Sequence, residues 1–355
     1  MCFSFQCIGV FIGLPNSLKR LRFEFSTGSP DRTQMKSLLF KILKFAVSGA
    51  IIFWLFYSVD LVALREQLGS IDWQWFVYTN LLTIGWLVSG TWRWQILLKV
   101  NHLRIEFPTL VKFSLIGHFF SNFLPSNVGG DIAKAMLVAR RCGLEFWPHA
   151  ASSVFVARVL GLFGLFLVLI LGVVLNIEWV FSLNVQIPLL LAFIGLLVLS
   201  IFIFSDVGNA ILRRFESVRI AGVILGIVRR LHDSILSYRS TPQSLLWGFL
   251  LSGLLSLIVA VQVWMLIQMF PGNNIGWTSQ IVVFVLTSLT AMIPITINGY
   301  GLQEGMITVL LVSLGMEPSQ GLLVALAYRM LSLIAGSVGG ILFALDGVPI
   351  SSASS

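Results

Sequence analysis

Charge is scarce in this sequence: only 11% of its 355 residues are Asp, Glu, Lys or Arg, 57% are hydrophobic, and mean hydropathy reaches +0.93. Soluble globular domains carry about a quarter charged residues, so a soluble fold is excluded. Cysteine is nearly as rare. Cys2, Cys7 and Cys142 form no CxxC pair, and their odd number argues against a disulfide framework. The four histidines stand apart at 102, 118, 149 and 232 without HxxxH spacing, so neither a metal site nor another cofactor is expected. A GxxxxGK(S/T) loop is also missing, and any transport must be passive, ion-driven or powered by a partner. The net charge of +8 does not indicate nucleic acid, because Lys and Arg cluster between apolar segments, where orientation signals lie.

Long apolar runs are what the chain has in abundance. "VLGLFGLFLVLILGVVL" (159–175) and "IPLLLAFIGLLVLSIFIF" (187–204) approach the roughly 20 residues that cross about 30 Å of hydrocarbon. The expected fold is an all-α polytopic protein of the cell membrane. Full spans are expected near 38–57, 74–98, 150–175, 187–205, 244–268 and 320–345, with two interrupted segments, 108–141 centred on Pro125 and 278–316 centred on Pro294. Residues 1–35 read as an over-long start or a disordered tail, 36–345 as one transmembrane domain, and 346–355 as a short tail. The tryptophans mostly fall near expected interfaces, as belt residues do, and carry no functional reading.

Positive charge orients these segments. Lys36, Lys41 and Lys44 flank the first span, Lys99, Arg104 and Lys112 follow the second, and Arg140 and Arg141 follow the first interrupted segment. The basic loop 206–243 is placed on the same, cytoplasmic side, with an amphipathic helix on the anionic leaflet, while 176–186 and 269–278 carry no Lys or Arg. Both termini are then cytoplasmic. Each interrupted segment has both ends on one side, so both read as re-entrant or paired half-helices.

"NFLPSNVGGDIAKAMLVARR" (122–141) and "LTAMIPITINGYGLQEGMITVLL" (289–311) share a pattern of Pro, then Asn and Gly, then an acid, then a long span with one arginine. The prolines Pro125 and Pro294 are 169 residues apart, Asp131 and Glu304 173, and Arg158 and Arg329 171. The chain thus holds a repeat, about 108–175 and 278–345, and by the charge count its copies are inverted in the membrane, the architecture of carriers that open one site to two sides. Non-helical chain at membrane depth persists only where protein or a water-filled cavity surrounds it. Gly129, Gly130, Gly299 and Gly301 allow positive φ and close backbone approach, and each following half-helix offers N–H groups and a positive dipole end to a phosphate or carboxylate.

Asp131 and Glu304 admit two readings, helix capping or the binding of a cation, a proton or an arginine. Arg158 and Arg329, inside apolar spans, are either partners of those acids or ligands of a phosphate. Lys134 has no basic counterpart in the second copy and reads as solvated or lipid-facing, a weaker site candidate. His118, Asn122, Ser126, Asn127, Thr296, Asn298, Tyr300 and Gln303 surround the breaks, where they satisfy free backbone or line the cavity. Gly161, Gly164, Gly336 and Gly340 suit close helix packing.

"SNFLPSNVGGDIAKAMLVAR" with "ARVLG", and "IPITINGYGLQEG" with "AYRMLS", resemble the lysylphosphatidylglycerol synthase transmembrane-region family, a flippase-like membrane family, over about residues 36–345. The resemblance implies functional weight at Pro125, Gly129, Gly130, Asp131, Arg158, Pro294, Asn298, Gly299, Gly301, Glu304 and Arg329. It also implies movement of a phospholipid or other anionic lipid headgroup between leaflets. Multidomain members carry a soluble aminoacyl-lipid synthase domain; this chain stops at "DGVPISSASS", so synthase activity is not expected and the protein is not expected to be an enzyme. Other relatives are linked to polyprenyl-lipid glycosylation, which leaves open an intramembrane enzyme or an accessory subunit of envelope lipid assembly. The expected partners are membrane lipids; a homodimer or an envelope-biosynthesis partner stays open.

Overall fold

The computed structural model describes residues 67–123, 128–175, 186–205, 222–270, 275–291, 296 and 298–345. The expected span 38–57, the segments 1–35 and 346–355, and Pro125, Ser126, Asn127 and Pro294 lie outside the described residues. No strand occurs among the described residues. In chain order the helices are α1 (Trp73–Val100), α2 (Phe107–Phe123), α3 (Gly129–Cys142), α4 (Trp147–Leu175), α5 (Gln186–Ile203), α6 (Gly222–Leu236), α7 (Pro242–Ile267), α8 (Trp277–Ala291), α9 (Leu302–Ser313) and α10 (Pro318–Leu345).

Their ends follow local chemistry. Asp72 starts α1 by accepting the Gln74 N–H at 3.1 Å. Pro242 and Pro318 open α7 and α10, where a missing N–H costs nothing. Three helical stretches, Leu144–Leu175, Pro242–Ile267 and Pro318–Leu345, are long and apolar enough to cross a membrane. These match three of the expected spans. The 28 residues of α1 have the length, but with Arg93 and Lys99 on it the helix falls short of that apolarity. Neither α8 nor α9 is long enough alone: at 1.5 Å per residue they measure only about 22 and 18 Å.

Helix stops at 123 and resumes at 129, and stops at 291 and resumes at 302, inside the two segments expected to be interrupted. The packing around the breaks is reciprocal. α2 lies along α10 and α8 lies along α4, while α3 packs on α2 and α4 as α9 packs on α8 and α10. α1 and α7 pack on each other and begin 169 residues apart. This contact between α1 and α7 lies outside the segments expected to form the repeat, 108–175 and 278–345. Two hydrogen bonds mark it: Arg93 Nη1 donates to Ser252 Oγ, and Gln262 Nε2 to Thr83 Oγ1, each at 2.8 Å. Arg93 and Gln262 are 169 residues apart, and so are Thr83 and Ser252.

The main core gathers on α8, where every residue from Gln280 to Thr287 is buried, against Leu165 and Leu169 of α4, Val263 and Leu266 of α7, and Leu311 of α9. A helix apolar all round belongs in such a position. α5 instead exposes Ile187, Leu190, Leu191, Val198 and Ile201, as a lipid-facing helix would.

The basic loop does contain a helix, α6, and Arg229 and Arg230 on it are exposed. One side of it rests on α4, with Ile235 buried in a small cluster beside Leu97 and Leu160. A polar knot fastens it. Asn101 Nδ2 donates to Tyr238 Oη at 3.1 Å, Ser234 and Ser237 donate to Asn101 Oδ1 at 3.2 and 3.0 Å, and Tyr238 Oη donates to the Leu97 carbonyl at 3.0 Å. Tyr238→Phe leaves Asn101 and that carbonyl short of partners, and an expected loss of about 1–3 kcal/mol should register as a lower melting temperature in detergent.

Candidate functional site

The helices α3 and α9 bring each expected acid to an arginine. Asp131, in the first turn of α3, accepts from Arg158 Nε on α4; Glu304, in the first turn of α9, accepts from Arg329 Nε on α10. The two pairs differ in what surrounds them. Arg329 and Glu304 are 9% and 6% exposed, and Arg329 has several further partners. Its Nη2 donates to Gln303 Oε1 at 3.0 Å, its Nη1 reaches the Asn298 carbonyl at 3.4 Å, and its Cζ stands 4.3 Å above the Tyr300 ring. The Arg158 side chain is 41% exposed.

The glycines divide the same way. Gly299 and Gly301 have φ of 73° and 83°, and Asn298 joins them at 47°, a left-handed turn that leads into α9. Gly129 and Gly130 do not have the positive φ expected of them, because both lie within the first turn of α3. Close approach is what Gly130 provides: a Cβ there would stand 1.9 Å from Ser121 Oγ and 2.3 Å from the Gly117 carbonyl oxygen. The expected anion site at each half-helix start also changes. At α9 the Gly301 N–H is taken by Glu304 Oε2 at 2.7 Å, whereas α3 has no side-chain cap.

Each ion pair borders a cavity. One, of about 220 Å3, is lined by Thr83, Gln262, Asn298, Gln303, Arg329 and Ser332 among others. The other, of about 120 Å3, is lined by Arg93, Ser114, Asp131, Lys134 and Arg158 among others. Trp86 and His118, with ring centroids 5.2 Å apart, line both and so form the wall between them. At roughly 30 Å3 per water these spaces hold a polar headgroup fragment rather than a whole lipid. The ends of the two breaks meet beside the larger cavity, where Asn122 Oδ1 accepts from Asn298 Nδ2 at 3.3 Å and Ser332 Oγ at 3.0 Å.

Lys134 is not lipid-facing. Its stem crosses α2 at Gly117, where a Cβ would fall 2.5 Å from Cε, and its ammonium lies 6.0 Å from the Trp94 ring centroid on the wall of the smaller cavity. Trp86 and Trp94 are likewise interior residues rather than belt residues; Trp94 Nε1 donates to Ser153 Oγ at 3.0 Å. Among the described residues no group of three or more His, Cys, Asp or Glu is placed to hold a metal.

Compared with known families, residues 41–340 match the model of the Lysylphosphatidylglycerol synthase TM region. The chain belongs to that family. The match takes in both breaks, both ion pairs and every lining residue of the two cavities. A "UPF0104 membrane protein" of Methanothermobacter thermautotrophicus is similar at 24% identity, over 69% of this chain and 77% of the relative. No solved structure matches. For this synthase TM-region chain, a membrane protein with helical spans, the residues that sequence reasoning missed are Arg93, Thr83, Ser252, Gln262 and Ser332. One signal for Arg93 was available: an arginine five residues inside the end of the expected span 74–98 is a site candidate by its cost alone.

Proposed function

We propose that the protein is a lipid translocase, which passes the headgroup of a phospholipid or other anionic lipid between leaflets through the two polar cavities. The observation that carries this reading is the pair of cavities at matched places in two reciprocally packed halves, each with an arginine and a carboxylate beside a helix break. Broken helices are tolerated in hydrocarbon only beside protein or water-filled space, and carriers use such breaks as substrate sites. In this reading the halves are inverted copies with re-entrant half-helices. The protein sits in the cell membrane with both termini cytoplasmic, and the wall of Trp86 and His118 separates access from the two sides.

The headgroup would enter one cavity with its acyl chains still in lipid, displace an arginine from its acid, and leave through the other. The Arg158–Asp131 pair is the more open and is the expected first contact. Translocation of fluorescent phosphatidylglycerol, phosphatidylethanolamine and a lysylated analogue in proteoliposomes tests this. Wild-type protein should move at least one of them, and Arg158→Ala should slow it by about tenfold or more, since a charge-assisted contact contributes about 1.5–3 kcal/mol. Failure of well-folded wild-type protein to move any lipid would leave the intramembrane enzyme and the accessory subunit as the readings to pursue.

A further inference from the structure

We propose that the smaller cavity is a phosphate site, built by Arg93, Lys134 and Arg158, and that its counterpart around Arg329 is not, so that a lipid headgroup is held electrostatically in the first half only. This rests on the translocase reading. The two cavities occupy matched places but differ in charge. Among the lining residues of the smaller one, three cations face a single carboxylate, Asp131. Around the larger one, among the described residues, Arg329 is the only lining cation, and it is already engaged by Glu304 and Gln303. Where the first half has Arg93 the second has Gln262, and where it has Lys134 the second has Met306 or Ile307. The remaining polar groups of the larger cavity, among the described residues, are hydroxyls, amides, and the Trp86 indole and His118 ring it shares with the smaller one.

Arg93 and Lys134 carry the surplus. Among the described residues neither forms an ion pair within 4.0 Å, and Arg93 Nε is buried without a hydrogen-bond partner. Arg93 is nevertheless held in place. Ser252 of α7 accepts from Nη1, and Gly161 of α4 leaves room beside it, since a Cβ there would stand 3.6 Å from Nη1. Lys134 is steered inward by the groove at Gly117. A cation inside the apolar part of a membrane protein is costly when unpaired, and here two such cations lie on one cavity. An anion arriving from the lipid offsets that cost. The phosphodiester of a phospholipid is the anion the bilayer itself supplies, and guanidinium and ammonium donors converging on one small cavity suit its oxygens.

The test is equilibrium binding of short-chain phosphatidylglycerol to the purified full-length protein in detergent, with inorganic phosphate and a short-chain diacylglycerol as separate probes. Arg93→Gln, which installs the second half's residue, and Lys134→Met should each weaken phosphatidylglycerol binding by about tenfold or more. Arg93→Lys should restore part of that loss, and Arg230→Gln, at an exposed cation that lines neither cavity, should leave binding unchanged. Among the described residues Lys134 donates no hydrogen bond, so Lys134→Met reads the site even if Arg93→Gln is unstable. Competition by inorganic phosphate would support the site and show that the free anion suffices. Binding of the lipid without such competition would support it and add the acyl chains to what is recognised. Diacylglycerol binding as tightly as phosphatidylglycerol would overturn it, as would wild-type affinity in Arg93→Gln and Lys134→Met. Translocation retained in both variants removes this site but not the carrier; charge-dependent binding without any translocation removes the carrier but not the site.

Discussion

Replacing Arg329 with alanine is expected to lower the stability of the protein by about 3–5 kcal/mol, because it leaves Glu304 charged and buried without its partner. The surroundings make the loss large. Glu304 and Arg329 are both buried, and the guanidinium also ties Gln303, the Asn298 carbonyl and the Tyr300 ring to α10. Thermal unfolding in detergent measures it. Arg158→Ala should have a much smaller effect on the same scale, since its side chain is 41% exposed and exposed pairs contribute only about 0–1 kcal/mol. Joint replacement of Glu304 and Arg329 by methionine should recover most of the stability, as apolar groups of similar volume often do in place of a buried pair. Equal melting of the two single arginine variants would show that the second pair is not the structural one.

Gly339→Ala is expected to be as damaging. A Cβ on Gly339 would lie 1.9 Å from the Leu115 carbonyl oxygen and 2.4 Å from its carbon, so the backbone of α2 itself would have to move away from α10. That contact joins the first half to the last helix of the second. Overpacking of this kind costs about 1–3 kcal/mol where side chains can yield, and more where backbone must. Gly85→Ala is the control: nothing lies within 4 Å of its Cβ, and exchanging a helical glycine for alanine should stabilise by about 0.5–1 kcal/mol. The measurement is again melting temperature, together with monodispersity on size-exclusion chromatography. A Gly339→Ala protein that melts with wild type would mean that the two helices can separate without cost.

Much of the fold was legible in the sequence because hydrocarbon imposes a length and a composition on whatever crosses it. The run that became α4 can be read from residues 159–175 alone, and α7 and α10 are nearly as plain. Both interruptions could be read from proline and glycine within apolar runs, and the acid–arginine pairs from their nearly constant separation. Arg93 was legible only as a costly charge within a span, not by what it meets. It stands in a segment that reads as an ordinary span, and its partner Ser252 is 159 residues away. Lys134 was misread for a related reason. Its place on a half-helix says nothing about which face turns inward, and that was decided by Gly117 on the neighbouring helix.

The sequence by itself determined that the chain is an all-helical membrane protein of this family, that two of its helices break, and that each break has an acid with an arginine waiting downstream. These are local properties, set by the apolar length of a segment and by the backbone freedom of a few residues. Which cations share a cavity, and which arginine is spent on its own acid, only the tertiary structure decided. The charge of a cavity is a sum over side chains from helices far apart in the chain, and their approach is set by where glycine lets one backbone meet another.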